Sequence, residues 1–151
     1  MSEGLPSESR LILPTGAEAL RALRHDLRTP LNPILGYCEL IEEESGDAAP
    51  PALRAGVRQL HAAGMQMLKL TNEVFSDQPS ALRELSIPEL QRKFRTPAEL
   101  AAALCTELER QADAATLPVA AADLRRIGIA TGRWLARVEE LLDQGGRSER
   151  K

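Results

Sequence analysis

The sequence predicts an all-α protein: two tandem antiparallel helical hairpins that close into a four-helix bundle. Composition is the first observation behind this. Ala, Leu, Arg and Glu dominate the 151 residues and aromatic residues make up only 3 %. Such residues lose little side-chain freedom in a helix, and few of the β-branched and aromatic residues that favour strands are present. Apolar residues also recur at heptad spacing over several long stretches, each bounded by Pro, Gly or Asp. The length suits one modest core, in one domain or two very small ones.

Residues 1–13 read as a flexible tail, polar apart from the Leu11-Ile12-Leu13 patch. Pro14-Thr15-Gly16 punctuates, with Thr15 placed to cap a helix. Leu20, Leu27, Ile34 and Ile41 then follow at intervals of seven, with Leu31 and Cys38 between them, forming an apolar seam on one long helix that ends near 45–47. Asp47-Ala48-Ala49-Pro50-Pro51 is a turn. A second helix carries Leu53, Leu60, Met67 and Val74 at heptad spacing, widened by Val57, Leu68 and Phe75, and stops around 76–79; residues 14–78 are thus one hairpin. A third helical stretch starts near Ile87-Pro88, passes Thr96-Pro97, and yields at 113–118. The fourth runs from about 119 to 143 with Leu124, Ile127, Trp134, Leu135, Val138 and Leu142 inward. Gln144-Gly145-Gly146 is expected to end it, leaving 79–144 as the second hairpin and 145–151 as a polar tail.

Composition also excludes several classes of function. The net charge is −3 with acidic and basic residues interspersed, so there is no electrostatic case for nucleic acid. No apolar run approaches the roughly 20 residues that span a bilayer. The N-terminus lacks the basic-then-apolar plan of a signal peptide. Cys38 and Cys105 make neither a disulfide framework nor a metal quartet. A reducing cytoplasm is the simplest home, and no metal or cofactor of the chain's own is expected.

The two halves share a register. Arg28-Thr29-Pro30 recurs as Arg95-Thr96-Pro97, a shift of 67 residues. The same shift pairs Leu23 with Leu90, Cys38 with Cys105, Glu42 with Glu109, Pro51 with Pro118, Arg58 with Arg125, Leu68 with Leu135 and Glu73 with Glu140. Any two Leu/Ala/Arg/Glu-rich hairpins share some letters, but a common tripeptide in constant register favours a tandem duplication. On the histidine the repeat breaks down: His25 maps to Arg92 and Asp26 to Lys93. Only the first copy can carry histidine chemistry.

That chemistry is legible in residue types. A neutral imidazole is nucleophilic near neutral pH and can attack a phosphoryl group through one ring nitrogen while the other holds a proton. Asp26 can orient the ring or accept that proton. Thr29 lies one helical turn beyond His25 on the same face, where a hydroxyl can position water. Arg28 can meet partner carboxylates or phosphate oxygens. Pro30 cannot donate its backbone hydrogen bond, so the helix is expected to bend just past His25, and Pro33 repeats the effect. His61 lacks this context and reads as structural or solvated. Cys38, Cys105, Met67 and Trp134 read as core, and Glu42-Glu43-Glu44 as a solvated helix end.

The run His25-Asp26-Leu27-Arg28-Thr29-Pro30-Leu31, followed by Ile34, Gly36 and Glu39, resembles the H-box of sensor histidine kinases. Leu60, Leu68 and Asn72-Glu73 are similar to the return helix of their dimerisation and phosphotransfer (HisKA-type) domain. The resemblance implies that His25 is the phosphoacceptor. His25, Asp26 and Thr29 also match the family's His-acid-x-x-Thr/Asn pattern, which supports dephosphorylation of a response regulator. Arg24, Arg28 and Asn32 are then the expected partner contacts. A sensor kinase also needs an ATP-binding domain, and no Gly-rich lid or βα pattern is present, so self-phosphorylation is not expected. In the family two identical hairpins dimerise into the bundle. Here one chain supplies both, implying a monomeric intramolecular pseudo-dimer, with a true homodimer as the competing arrangement. The expected function is that of a histidine phosphotransfer protein, exchanging a phosphoryl group with a response-regulator receiver domain, which brings its own Mg²⁺, or with a histidine kinase. The alternatives are a non-catalytic inhibitor or scaffold that binds the same partners, or a phosphoacceptor domain cut from a larger kinase, against which the initial Met1 and the polar tails weigh.

Overall fold

The computed structural model describes residues 10–14 and 16–150, excepting the side chains of 145–150. The expected cap at Thr15 and residues 1–9 of the expected tail lie outside the described residues. Four helices follow one another: α1 (Ala17–Ser45), α2 (Pro51–Val74), α3 (Ile87–Ala114) and α4 (Pro118–Arg150), with single 3₁₀ turns at Gly46–Ala48 and Ala81–Glu84. Each of α1 and α3 packs between α2 and α4. The architecture is an all-α, antiparallel four-helix bundle. Among the described residues its one departure from helix pairing is an isolated β-bridge between Arg10 and Ser86.

Local chemistry sets most helix ends. α1 stops where Gly46 takes φ 48°, a left-handed value that glycine adopts without a Cβ clash, and the Gly46 N–H donates to Glu42 O. α2 opens on Pro51, whose missing N–H falls where a helix has no acceptor for it. α3 opens on a capping box: the Glu89 N–H donates to Ser86 Oγ at 3.3 Å, and the Ser86 N–H to Glu89 Oε1 at 3.0 Å. The backbone and hydroxyl donors of Ser86 hold the Glu89 carboxyl below the usual carboxylate range. At the other end of α3 the Leu117 N–H reaches Ala112 O (2.9 Å) and the Thr116 N–H reaches Asp113 O (3.1 Å), a Schellman motif with a β-branched Thr116 at φ 59°. α4 does not end at 144 as expected: its backbone stays helical through Gly145 and Gly146 to Arg150. Each glycine weakens a helix by about 1 kcal/mol relative to alanine, which frays it without terminating it.

The core is one contiguous cluster with contributions from all four helices, including Leu27, Leu31 and Ile34 of α1, Leu53, Leu60 and Met67 of α2, Leu90 and Phe94 of α3, and Leu124, Trp134 and Val138 of α4. Leu135 and Leu68 sit at its edge, partly buried. Gly56 permits a close approach of α2 to α3, because a Cβ there would collide with the Leu108 side chain. Leu11 is also buried in the cluster. Residues 10–13 are therefore docked rather than a flexible tail: Leu11 and the partly buried Leu13 pack on the core while Ile12 is exposed, and Arg10 bridges Ser86. Both cysteines are free and buried, and burial pushes each thiol up to about 12.

The buried faces of the hairpins correspond. Shifting Leu20, Leu27, Leu31, Ile34, Cys38 and Ile41 of α1 by 67 residues gives Ile87, Phe94, Ala98, Ala101, Cys105 and Leu108 of α3, every one buried. Two links tie the halves together. The Trp134 indole N–H donates to Thr71 Oγ1 (3.1 Å), whose own hydroxyl donates to Met67 O (2.9 Å). The Trp134 ring lies 5.6 Å from that of Phe94, which in turn lies 6.2 Å from Phe75, distances at which tilted aromatic pairs attract.

Thr71→Val keeps the shape but orphans the buried indole N–H. It should destabilise the bundle by about 1–3 kcal/mol in denaturant titrations followed by Trp134 emission; an unchanged midpoint would mean that the bond contributes nothing. Thr116→Gly removes the Cβ clash of the left-handed conformation and should stabilise the protein by about 1 kcal/mol in the same titration.

Candidate functional site

His25 lies in the third turn of α1, and its side chain is exposed. The helix passes unbroken through Pro30 and Pro33. An α-helix pairs each N–H with the carbonyl four residues back, so Pro30 leaves the Asp26 carbonyl without its helical donor and Pro33 does the same to Thr29. The turns that follow His25 thus hold two backbone acceptors released from the helix ladder. Thr29 Oγ1 donates to His25 O at 3.0 Å. Its proton is committed to the backbone, and its lone pairs are what remain to accept a bond from water.

The neighbours of His25 turn to different helices. Arg24 Nη1 donates to Phe75 O at 2.8 Å, capping the C-terminus of α2, where the helix dipole favours a cation. Arg28 donates through Nε (3.0 Å) and through Nη2 to Asn72 Oδ1. Both expected partner-binding arginines are therefore engaged within the first hairpin, while Asn32 is exposed. Asp26 faces the other way. Arg137 of α4 donates through Nε to Asp26 Oδ2 at 2.6 Å and through Nη1 to Glu140 Oε1 at 2.8 Å. These two carboxylates raise the affinity of the Arg137 guanidinium for its proton, Asp26 contributing most. Sequence reasoning missed Arg137, which lies 111 residues beyond Asp26. The only signal was a break in the repeat, since its counterpart in α2 is the buried Leu70.

The same backbone frame recurs in the second hairpin. Thr96 Oγ1 donates to Arg92 O at 2.9 Å, and Arg95 Nε to Glu139 Oε2 at 2.5 Å. These bonds sit 67 residues beyond Thr29–His25 and Arg28–Asn72. The exposed Arg92 and Lys93 occupy the places of His25 and Asp26. A groove of about 750 Å³ between α2 and α3, lined in part by Gln59, Gln66, Lys93, Thr96 and Leu100, opens on this second face and not at His25.

His61 is half-buried on α2, with Nε2 3.2 Å from Glu39 Oε2. That contact gives it a structural partner and places it among none of the residues around His25. Among the described residues no group of His, Cys, Asp and Glu could hold a metal ion, and no helix is long and apolar enough to cross a membrane.

Residues 17–79, which span α1, α2 and the turn after them, match the family model of the His Kinase A (phospho-acceptor) domain. No curated protein and no solved structure matches the chain. Domains of this family work with kinases and response regulators. The first hairpin is thus similar to the His Kinase A (phospho-acceptor) domain, a domain whose phosphoacceptor histidine serves two-component signalling.

Proposed function

We propose that His25 is the phosphoacceptor and that the protein is a histidine phosphotransfer protein, exchanging a phosphoryl group with an aspartate of a response-regulator receiver domain. The observation that carries this reading is that the family match falls on the hairpin that keeps His25. There the ring is exposed, Asp26 follows it directly, and Thr29 stands one turn on. In the forward step a lone pair of one neutral ring nitrogen forms the N–P bond. The P–O bond to the partner's carboxylate breaks, and that carboxylate leaves with the bonding pair. The other ring nitrogen keeps its proton, and the positive charge that develops on the ring is offset by the neighbouring Asp26. The receiver would contribute the Mg²⁺ that neutralises the equatorial oxygens.

The second hairpin, in this reading, is a duplicated copy that completes the bundle in place of a dimer partner. The repeated Thr and Arg hydrogen bonds and the matched buried positions support it. A lone hairpin would leave its apolar stripe in water, whereas here each stripe is covered by the other. Light-scattering chromatography should therefore give the mass of one 16.5 kDa chain. Elution as a dimer would sink the pseudo-dimer.

The direct test of function is incubation with a phosphorylated receiver domain. The expected outcome is acid-labile, alkali-stable label on the protein that is lost in His25→Ala. Absence of label together with tight receiver binding would assign the chain instead as an inhibitor or scaffold.

A further inference from the structure

We propose that Arg137, supplied by the second hairpin, is a positioning residue for the His25 site: it fixes the Asp26 carboxylate and compensates its charge, so that a phosphoryl group can be held on the adjacent histidine. This inference rests on the reading of His25 as phosphoacceptor.

The geometry is specific. The guanidinium is held from two sides, by Asp26 Oδ2 at 2.6 Å and Glu140 Oε1 at 2.8 Å. Its helix is anchored directly beneath it, because Trp134 and Val138, three residues before and one after, are both fully buried. The cation therefore reaches Asp26 from a rigid support, and such charge-assisted bonds are short and directional. Electrostatics supply the need. A phosphoryl group on His25 brings about two negative charges next to a residue that already carries one, and like charges at such spacing repel strongly unless a cation sits between or beside them. Arg24 and Arg28, the cations on α1 nearest in sequence, are turned to Phe75 O and Asn72 on α2, which leaves Arg137 as the cation bonded to Asp26.

Asymmetry between the halves points the same way. Under the shift of 67 residues, Asp26 corresponds to Lys93 and Arg137 to Leu70, which is buried. The arginine is carried by the hairpin that packs against the intact site, and its counterpart on the hairpin that keeps the histidine and the acid is a leucine. Two identical hairpins in a homodimer would carry one residue at both positions. A single chain can place an arginine opposite the active copy and a leucine opposite the inactive one. Stability alone gives little reason for the arginine, because pairs as exposed as this one add little to folding.

The test compares wild type, Arg137→Ala, Arg137→Lys, Asp26→Asn and the Arg137→Ala/Asp26→Asn double variant. Each is phosphorylated with phosphoramidate and, separately, by a phosphorylated receiver domain. Arg137→Ala should slow receiver-dependent transfer about tenfold in the rate at saturation, with the half-saturating receiver concentration unchanged. Arg137→Lys should restore most of that loss, and Arg137→Ala should cost nothing further in the Asp26→Asn background. Unfolding followed by Trp134 emission reports any loss of fold separately. A rate in Arg137→Ala equal to or above wild type, or the same loss with and without Asp26, would overturn the positioning role while leaving His25 in place. Failure of wild type to form phosphohistidine even with phosphoramidate is a different result, and would overturn the His25 reading and this inference with it.

Discussion

Each hairpin of this protein presents an apolar stripe that it cannot bury by itself, and the structure depends on the two stripes covering one another. The side chains that meet at the centre are large at the His25 end of the bundle, where Phe75, Phe94 and Trp134 stack in sequence. The indole N–H of Trp134 would be costly to bury unpaired, and Thr71 of the other hairpin accepts it. That pairing of apolar surface with one satisfied polar group fixes which helix lies beside which. It sets α4 against α1, and so brings Arg137 to Asp26.

The site departs from the rules the rest of the fold obeys. Two prolines in the interior of α1 forfeit two helical hydrogen bonds within a turn or two of His25. The helix survives them because Leu27, Leu31 and Ile34 are fully buried on its inner side, so packing holds the path that the backbone ladder no longer does. Local rules are commonly broken where function resides. α3 bears a single interior proline at the equivalent of Pro30, together with the same Thr-to-carbonyl bond. The same frame thus stands at a place that carries Arg92 and Lys93 instead of a histidine and an acid.

The helices were legible in the sequence because heptad periodicity is a local signal carried by many residues. Leu20 to Ile41 marked α1 through its prolines, and Gly46 and Pro51 marked the turn. The boundaries read less well where the deciding energy is small or remote. Gly145-Gly146 reads as a stop, yet the helix continues to Arg150. Leu11 read as part of a tail, yet it docks onto the core, because the apolar area that Leu11 and the partly buried Leu13 remove from water offsets the entropy of a free segment. His61 lacked a motif, and it is tied to Glu39.

By itself the sequence determined the helical class, the four periodic segments, and the histidine motif with its acid and hydroxyl at helical spacing, since all of these depend on residues within a few positions of one another. Only the tertiary structure decided the surroundings of that motif. It turned Arg24 and Arg28 toward α2, closing on Phe75 O and Asn72, and it supplied Arg137 from the far end of the chain. The reason is geometric. A helical period states which residues share a stripe, but not which of two flanking helices a long side chain on the stripe's margin will meet. That choice is made only when the hairpins pack and a carboxylate and a guanidinium arrive from opposite sides of the core seam.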